Sequence, residues 1–106
     1  MNIQSETVVS PSVVEQASTI FAGSYINKLS GEQIEHECRR KLDAGCKELK
    51  LDFSQTEIVN SIGISILLGV IDVAEKNGAK VVFSEVSEDT VELFEMLGLT
   101  KHVTIQ

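Results

Sequence analysis

The stretch from Val59 to Val86 reads VNSIGISILLGVIDVAEKNGAKVVFSEV, and it decides the fold. Two small polar residues, Asn60 and Ser61, precede a run from Ile62 to Ile71 that is apolar or small throughout; Asp72 ends it. Asn and Ser both favour the position just before a helix, where a side-chain oxygen accepts a free N–H of the first turn. Asn77-Gly78 supplies a stop. The following AKVVFSEV (79–86) is rich in Val and Phe, as strands are. A helix followed by a buried strand is the repeating unit of a parallel sheet.

Placed on a helix from Ile62 to Asn77 at about 100° per residue, Ile64, Leu67, Leu68, Ile71 and Ala74 fall on one side, which is expected to face the sheet. Ser65, Gly69, Asp72 and Lys76 fall opposite, toward water. Ile62, Ile66, Val70 and Val73 form a second apolar stripe along one flank. Two readings of that flank stay open. A neighbouring helix covers it, or it remains partly exposed as a contact patch for another protein. Gly69 suits either, because a mid-helix Gly costs about 1 kcal/mol relative to Ala and close packing offsets that.

Upstream, KELKLDF (47–53) alternates Leu49, Leu51 and Phe53 on one side and reads as a strand. Before it, Ser30 followed by Gln33 has capping-box spacing. Ile34, Cys38 and Leu42 then recur as one narrow stripe on a polar helix that Gly45 ends. ETVV (6–9) and STIFAGSY (18–25) read as two strands separated by Pro11. Ser12-Val13-Val14-Glu15 has the form of a capping box, but a poor helix would follow it. Downstream, Ser87 caps EDTVELFEML (88–97), whose first-turn acids suit the helix dipole. Gly98 closes that helix, and KHVTI (101–105) reads as a last strand. The order is β-β-α-β-α-β-α-β: one α/β domain over residues 1–106 with a largely parallel sheet.

Composition narrows the function. The chain has 106 residues, 42% hydrophobic but only 5% aromatic, so the core is built from Val, Ile and Leu. A net charge of −7 repels phosphate backbones and argues against direct nucleic-acid binding. Arg39-Arg40-Lys41 is a single basic turn flanked by acids. Cys38 and Cys46 form no CxxC and have no zinc-spaced partners, so they read as reduced thiols. Cys38 belongs to an apolar stripe and is expected in the core. His36 and His102 are far apart in sequence and are expected on the surface. No metal or cofactor is implied. Met1 to Ser10 is polar and lacks a basic start, unlike a signal peptide. Ile62 to Ile71 is too short to cross a bilayer, which takes about 20 residues. A cytoplasmic protein without membrane insertion is expected.

Asp52, Ser54 and Ser61 cluster near strand ends, where α/β sites lie. No His or Lys can be placed beside Ser61 as a base, and Gly63 and Gly69 lack the Gly-Lys-Ser/Thr ending of a phosphate-binding loop. Asp52 is expected to accept hydrogen bonds from loop N–H groups, and no enzyme is expected. A hydroxyl at a helix start is, however, a favourable place for a phosphate, because free N–H groups and the dipole stabilise negative charge there. A phosphate on Ser61 would add about −1.5 to −2 charges beside a greasy flank, closing a binding surface without unfolding the domain.

The segment from Leu49 to Ile105 resembles the STAS domain of bacterial anti-sigma-factor antagonists. The likeness lies in a strand ending Asp-Phe-Ser, an Asn60-Ser61-Ile62-Gly63 motif opening a hydrophobic helix, an Asn-Gly turn, a Val-rich strand and a helix ending LFEMLGL. The resemblance implies a STAS-like single domain with a four- to five-stranded mixed, largely parallel sheet and helices mainly on one side. It implies a non-enzymatic module that binds an anti-sigma factor of the ATPase-kinase fold and so frees a sigma factor. That serine kinase phosphorylates the motif serine, which breaks the complex, and a serine phosphatase reverses it. By resemblance Ser61 is the phosphoacceptor and Gly63 the motif glycine. The partner surface is expected to comprise Asn60, Ser61, Ile62, Gly63, Ser65, Ile66, Gly69, Val70 and Val73.

Two residues depart from the family pattern. Asn60 stands where Asp is usual, and Ile62 where Ser or Thr is usual. Asn keeps the cap but loses a charge worth about 0.3–1 kcal/mol against the dipole. Ile62 makes the site greasier. An alternative on the same fold is a constitutive STAS subunit of a membrane transporter or lipid-transport ATPase, without phosphorylation.

Overall fold

A computed structural model describes residues 17–106. The expected strand at ETVV, Pro11 and the capping-box pattern at Ser12 lie outside the described residues. The first described strand, β1 (Ala17–Phe21), is followed by a two-residue strand, β2 (Tyr25–Ile26). Helix α1 (Lys28–Asp43) leads to β3 (Glu48–Asp52) and the short β4 (Ile58–Val59). Helix α2 (Ser61–Lys76), β5 (Lys80–Ser84) and helix α3 (Glu88–Met96) follow. A 3-10 turn (Leu99–Lys101) and β6 (Thr104–Ile105) end the chain.

The main sheet has the order β1-β3-β5-β6, and every pair in it is parallel. β2 and β4 pair in parallel as a separate two-stranded ribbon. The α/β architecture is as expected from the sequence. The ribbon is not: STIFAGSY breaks at Gly23, whose φ of 89° ends β1 and frees Tyr25 to start a second sheet. Two-residue strands leave no alternation to read.

Register explains which face is buried. Ile20, Leu51 and Phe83 stand side by side across three strands, as do Thr19, Lys50 and Val82. The first row is buried. In the second, Thr19 is exposed and Lys50 half-buried, with Val82 the buried exception. The helices cover the buried face. Ile64, Leu67, Ile71 and Ala74 of α2 and Ile34, Cys38 and Leu42 of α1 complete its core. Phe94 of α3 meets Phe83 and Phe53 with ring centroids 5.3 and 5.6 Å apart, at the inclined angles aromatic quadrupoles favour. Burial pushes the Cys38 thiol up to about 12, with neighbouring Glu37 adding to the effect. Cys38 is therefore a core thiol rather than a reactive one.

The structure corrects several details. Asn27, not Ser30, caps α1: its Oδ1 accepts from Ser30 N at 3.0 Å, while Ser30 Oγ accepts from Asn27 N at 3.0 Å. The capping box is real but starts three residues earlier, and Gln33 has no part in it. The last strand shrinks to Thr104–Ile105, because the chain leaves Gly98 (φ 84°) into a 3-10 turn. On α2, two residues exchange roles. Leu68, expected against the sheet, is 38% exposed, and Val70, expected on the flank, is 2% exposed. The cause is α1, which packs along that flank: a Cβ added to Gly31 would lie 3.0 Å from Ile66 Cδ1. The helix therefore buries an arc shared between sheet and α1 rather than one facing the sheet alone.

Leu67→Ala should lower the unfolding free energy by about 2–5 kcal/mol, because Leu67 is fully buried. Leu68→Ala should change it by less than about 1 kcal/mol. Urea denaturation of both variants checks this, and equal losses would contradict the rotated helix face.

Candidate functional site

The candidate site lies where β3 and β5 end and α1 and α2 begin. Four backbone links build it. Ala22 N donates to Asp52 O (2.9 Å) and Phe53 N to Ser84 O (2.9 Å), which continues the sheet past its last residues. Glu57 N donates to Ser24 O (2.8 Å) and Asn60 N to Ile26 O (2.9 Å), which holds the ribbon together at both ends. Thr56 Oγ1 adds a 2.6 Å bond to Gly23 O.

Asp52 closes β3 and folds its carboxylate back onto the next turn. Its Oδ1 accepts from Ser54 N at 2.8 Å. Hydrogen bonds from the Ser54 side chain and backbone hold this exposed carboxyl below its usual range. Asp52 thus serves as the loop acceptor expected of it.

Asn60 is the hinge of the site. Its extended backbone precedes α2, and its Oδ1 accepts from Gly63 N at 2.8 Å. Its Nδ2 reaches the Tyr25 hydroxyl at 3.4 Å. One amide therefore caps the helix and touches the ribbon. Because Asn60 is the cap, Ser61 becomes the first helical residue, with an exposed side chain. Gly63 sits in the tightest place: a Cβ there would lie 2.5 Å from the Ile26 carbonyl oxygen, a backbone atom that cannot step aside.

The nine expected surface residues separate into two groups. Ser61, Ile62 and Ser65 are exposed, and Asn60, Ile66 and Gly69 are half-buried. Gly63 and Val70 are buried and present little or no surface, while Val73 is half-buried and packs against the core. Two neighbours escaped the sequence reading. Tyr25 and Ile58 are register partners in the ribbon, 45% and 58% exposed, and they flank Asn60. A signal for them existed. Tyr25-Ile26-Asn27 and Ile58-Val59-Asn60 are both short apolar pairs ending in Asn, and in both the Asn caps a helix.

The histidines are elsewhere. His36 is exposed on α1, and His102 lies 3.3 Å from Glu75 near the far end of α2. Among the described residues no cluster of three His, Cys, Asp or Glu side chains is arranged to hold a metal ion. Among them, too, no helix is long and apolar enough to cross a membrane.

The STAS domain family model matches residues 6–106, and the chain belongs to that family. Solved structures agree on the fold. The Bacillus cell fate determinant SpoIIAA in its phosphorylated form superposes with a TM-score of 0.68 at 16% identity, over 87% of this chain and 84% of that one. A Thermotoga maritima protein proposed as an anti-sigma factor antagonist gives 0.75 at 13% identity, over 85% and 78%. The STAS domain of a SulP transporter from Vibrio cholerae gives 0.69 at 16% identity, over 86% and 73%. No curated protein sequence matches this one closely enough to count as a relative.

The two glycines of α2 make opposite predictions. Gly63→Ala should destabilise the protein by more than about 2 kcal/mol, since overpacking against fixed backbone forces the ribbon and α2 apart. Gly69→Ala meets nothing within 4 Å. It should stabilise by up to about 1 kcal/mol through helix propensity alone. Thermal unfolding of the two variants, measured side by side, checks both signs.

Proposed function

We propose that this chain is a regulatory protein-binding module, an anti-sigma factor antagonist that binds an anti-sigma factor of the ATPase-kinase fold and is switched by phosphorylation at Ser61. The observation that carries the reading is an exposed serine at the first position of α2, preceded by Asn60, whose amide meets the Tyr25 hydroxyl, and followed by the exposed Ile62; Tyr25 and its ribbon partner Ile58 are exposed too. The contact surface is formed by Asn60, Ser61, Ile62, Ser65, Ile66 and Gly69, extended onto Tyr25 and Ile58. Similarity to SpoIIAA, which is an anti-sigma factor antagonist with unphosphorylated and phosphorylated forms, supports it.

The switch follows from local physics. A phosphate at this helix start gains from the dipole, so the fold tolerates it. It brings about −1.5 to −2 charges and a shell of water. Burying Ile62 and Ile58 beside that group then costs the desolvation of an anion, and the complex separates while the domain stays folded. In this reading the module works in the cytoplasm and carries out no chemistry itself. Its kinase partner adds the phosphate and a serine phosphatase removes it.

Intact-mass measurement of the protein from its native cells tests the switch. A species about 80 Da heavier, one phosphoryl group, should appear in the wild type and vanish in Ser61→Ala. A mass that stays unmodified in growth and in stress would sink the switch. The constitutive subunit of a transporter or lipid-transport ATPase would then take its place.

A further inference from the structure

The two ends of this molecule differ in charge. The strands of the main sheet are parallel and each helix begins after a strand, so all three helix starts share the end where β3 and β5 finish. Acids gather at that end. Asp52 closes β3, Glu57 follows in the next loop, Glu85 follows β5, and Glu88 and Asp89 open α3. Among the described residues the bases near that end are Lys28, held 2.9 Å from Glu32, and Lys50, in the middle of β3, whose charge acts on Asp52. Most of the other bases lie at the opposite end. Arg39, Arg40 and Lys41 close α1, Lys76 closes α2, and Lys47 and Lys80 stand where β3 and β5 begin.

At the same end lies the apolar patch of Tyr25, Ile58 and Ile62, each about half exposed. Tyr25 pairs with Ile58 in register, and Asn60, which bonds to the Tyr25 hydroxyl, stands two residues before Ile62. We infer that this patch docks a protein surface with an apolar centre and Lys/Arg-rich surroundings, and that the acids at this end steer the encounter. The inference rests on the binding-module reading above and adds the chemistry of the partner. Opposite potentials raise the rate of productive encounter, and an acidic rim on the partner would meet like charge. Nucleic acid is repelled for the same reason. Acids and patch have separable duties. Long-range charge sets association, and the desolvated apolar contact sets dissociation. A phosphate on Ser61 sits at the patch, so it acts on dissociation.

The test starts with Ile58→p-benzoylphenylalanine in the full chain, photolysed in native cells, to identify the contacting protein, which is then purified. Stopped-flow association is timed for wild type, for Glu57→Lys with Glu85→Lys, and for Asp43→Lys with Glu95→Lys. The second pair makes the same change in net charge at the other end. The wild-type rate should fall about tenfold or more between low and high salt. The first pair should slow association about tenfold at low salt, and the second should alter it less than about twofold. Should the first pair fail to fold, Glu57→Gln with Glu85→Gln gives a smaller slowing of the same sign. A rate indifferent to salt, or equal effects from both ends, overturns the inference and leaves the binding module standing. A cross-link only to a second copy of this chain overturns it as well. No cross-link to any protein overturns the binding-module reading and the inference together.

Discussion

The first turn of α2 lies against the backbone of Ile26, and the rest of the site depends on that approach. Gly63 has no side chain because Ile26 O occupies the space a Cβ would need. The approach brings Asn60 N within hydrogen-bond reach of the same carbonyl. It also sets β4 beside β2, and so aligns the starts of α1 and α2. Both helices then begin from a ribbon strand through an Asn cap. A ribbon of two residue pairs is too small to hold its own shape in water. It persists here because backbone bonds, two caps and the Ser30 hydroxyl, which donates to Tyr25 O at 2.7 Å, fasten it from both sides.

That arrangement separates the residue exposed for contact from the residues that hold the helix start. Asn60 and Gly63 fix the geometry of the first turn. Ser61, lying between them, takes no part in the cap and points outward. A change at Ser61 therefore alters surface chemistry without loosening the turn. A change at Gly63 does the reverse. A switch needs this division, because a modified residue that also held the fold would trade regulation for unfolding. The acidic surroundings add a further consequence. Lys28 is engaged by Glu32, and the charge of Lys50 acts on Asp52. Charge added at the exposed Ser61 would face solvent.

The main fold was legible because its signals are long. Helix α2 spans sixteen residues between an Asn cap and an Asn-Gly stop, and β3 and β5 carry alternating or continuous apolar runs. The errors fall where a signal is short or where tertiary packing decides. β2 and β4 have two residues each, below any period. The cap of α1 was misread because Ser30-x-x-Gln33 has the right letters, while Asn27 lies three residues nearer the strand that fixes the start. The exchange of Leu68 and Val70 could not be read from α2 alone. A helical wheel gives the relative angles of side chains but not which neighbour covers which arc. That depended on Gly31, a residue on another helix whose missing side chain admits Ile66. Of the site, the serine, the cap and the motif glycine were visible in sequence. Tyr25 is marked only by the repeated apolar pair before an Asn, because its place beside Asn60 comes from a contact across thirty-five positions.

The departure at Asn60 gains a physical meaning from that pairing. An Asp in its place would cap Gly63 equally well and add charge favoured by the dipole. But a carboxylate only accepts hydrogen bonds, so the Tyr25 hydroxyl would have to turn and donate to it. Asn supplies both functions at once: its oxygen accepts from the helix and its nitrogen donates to the ring hydroxyl. The link between ribbon and helix then survives without a charge at the edge of the apolar patch. Ile62 follows the same logic, replacing a hydroxyl with surface that gains by being covered. Together the two departures make the unmodified site more apolar than the family pattern does. Under the proposed switch, a phosphate on Ser61 would be the first full charge in the patch, and the contrast between the two states would be correspondingly larger.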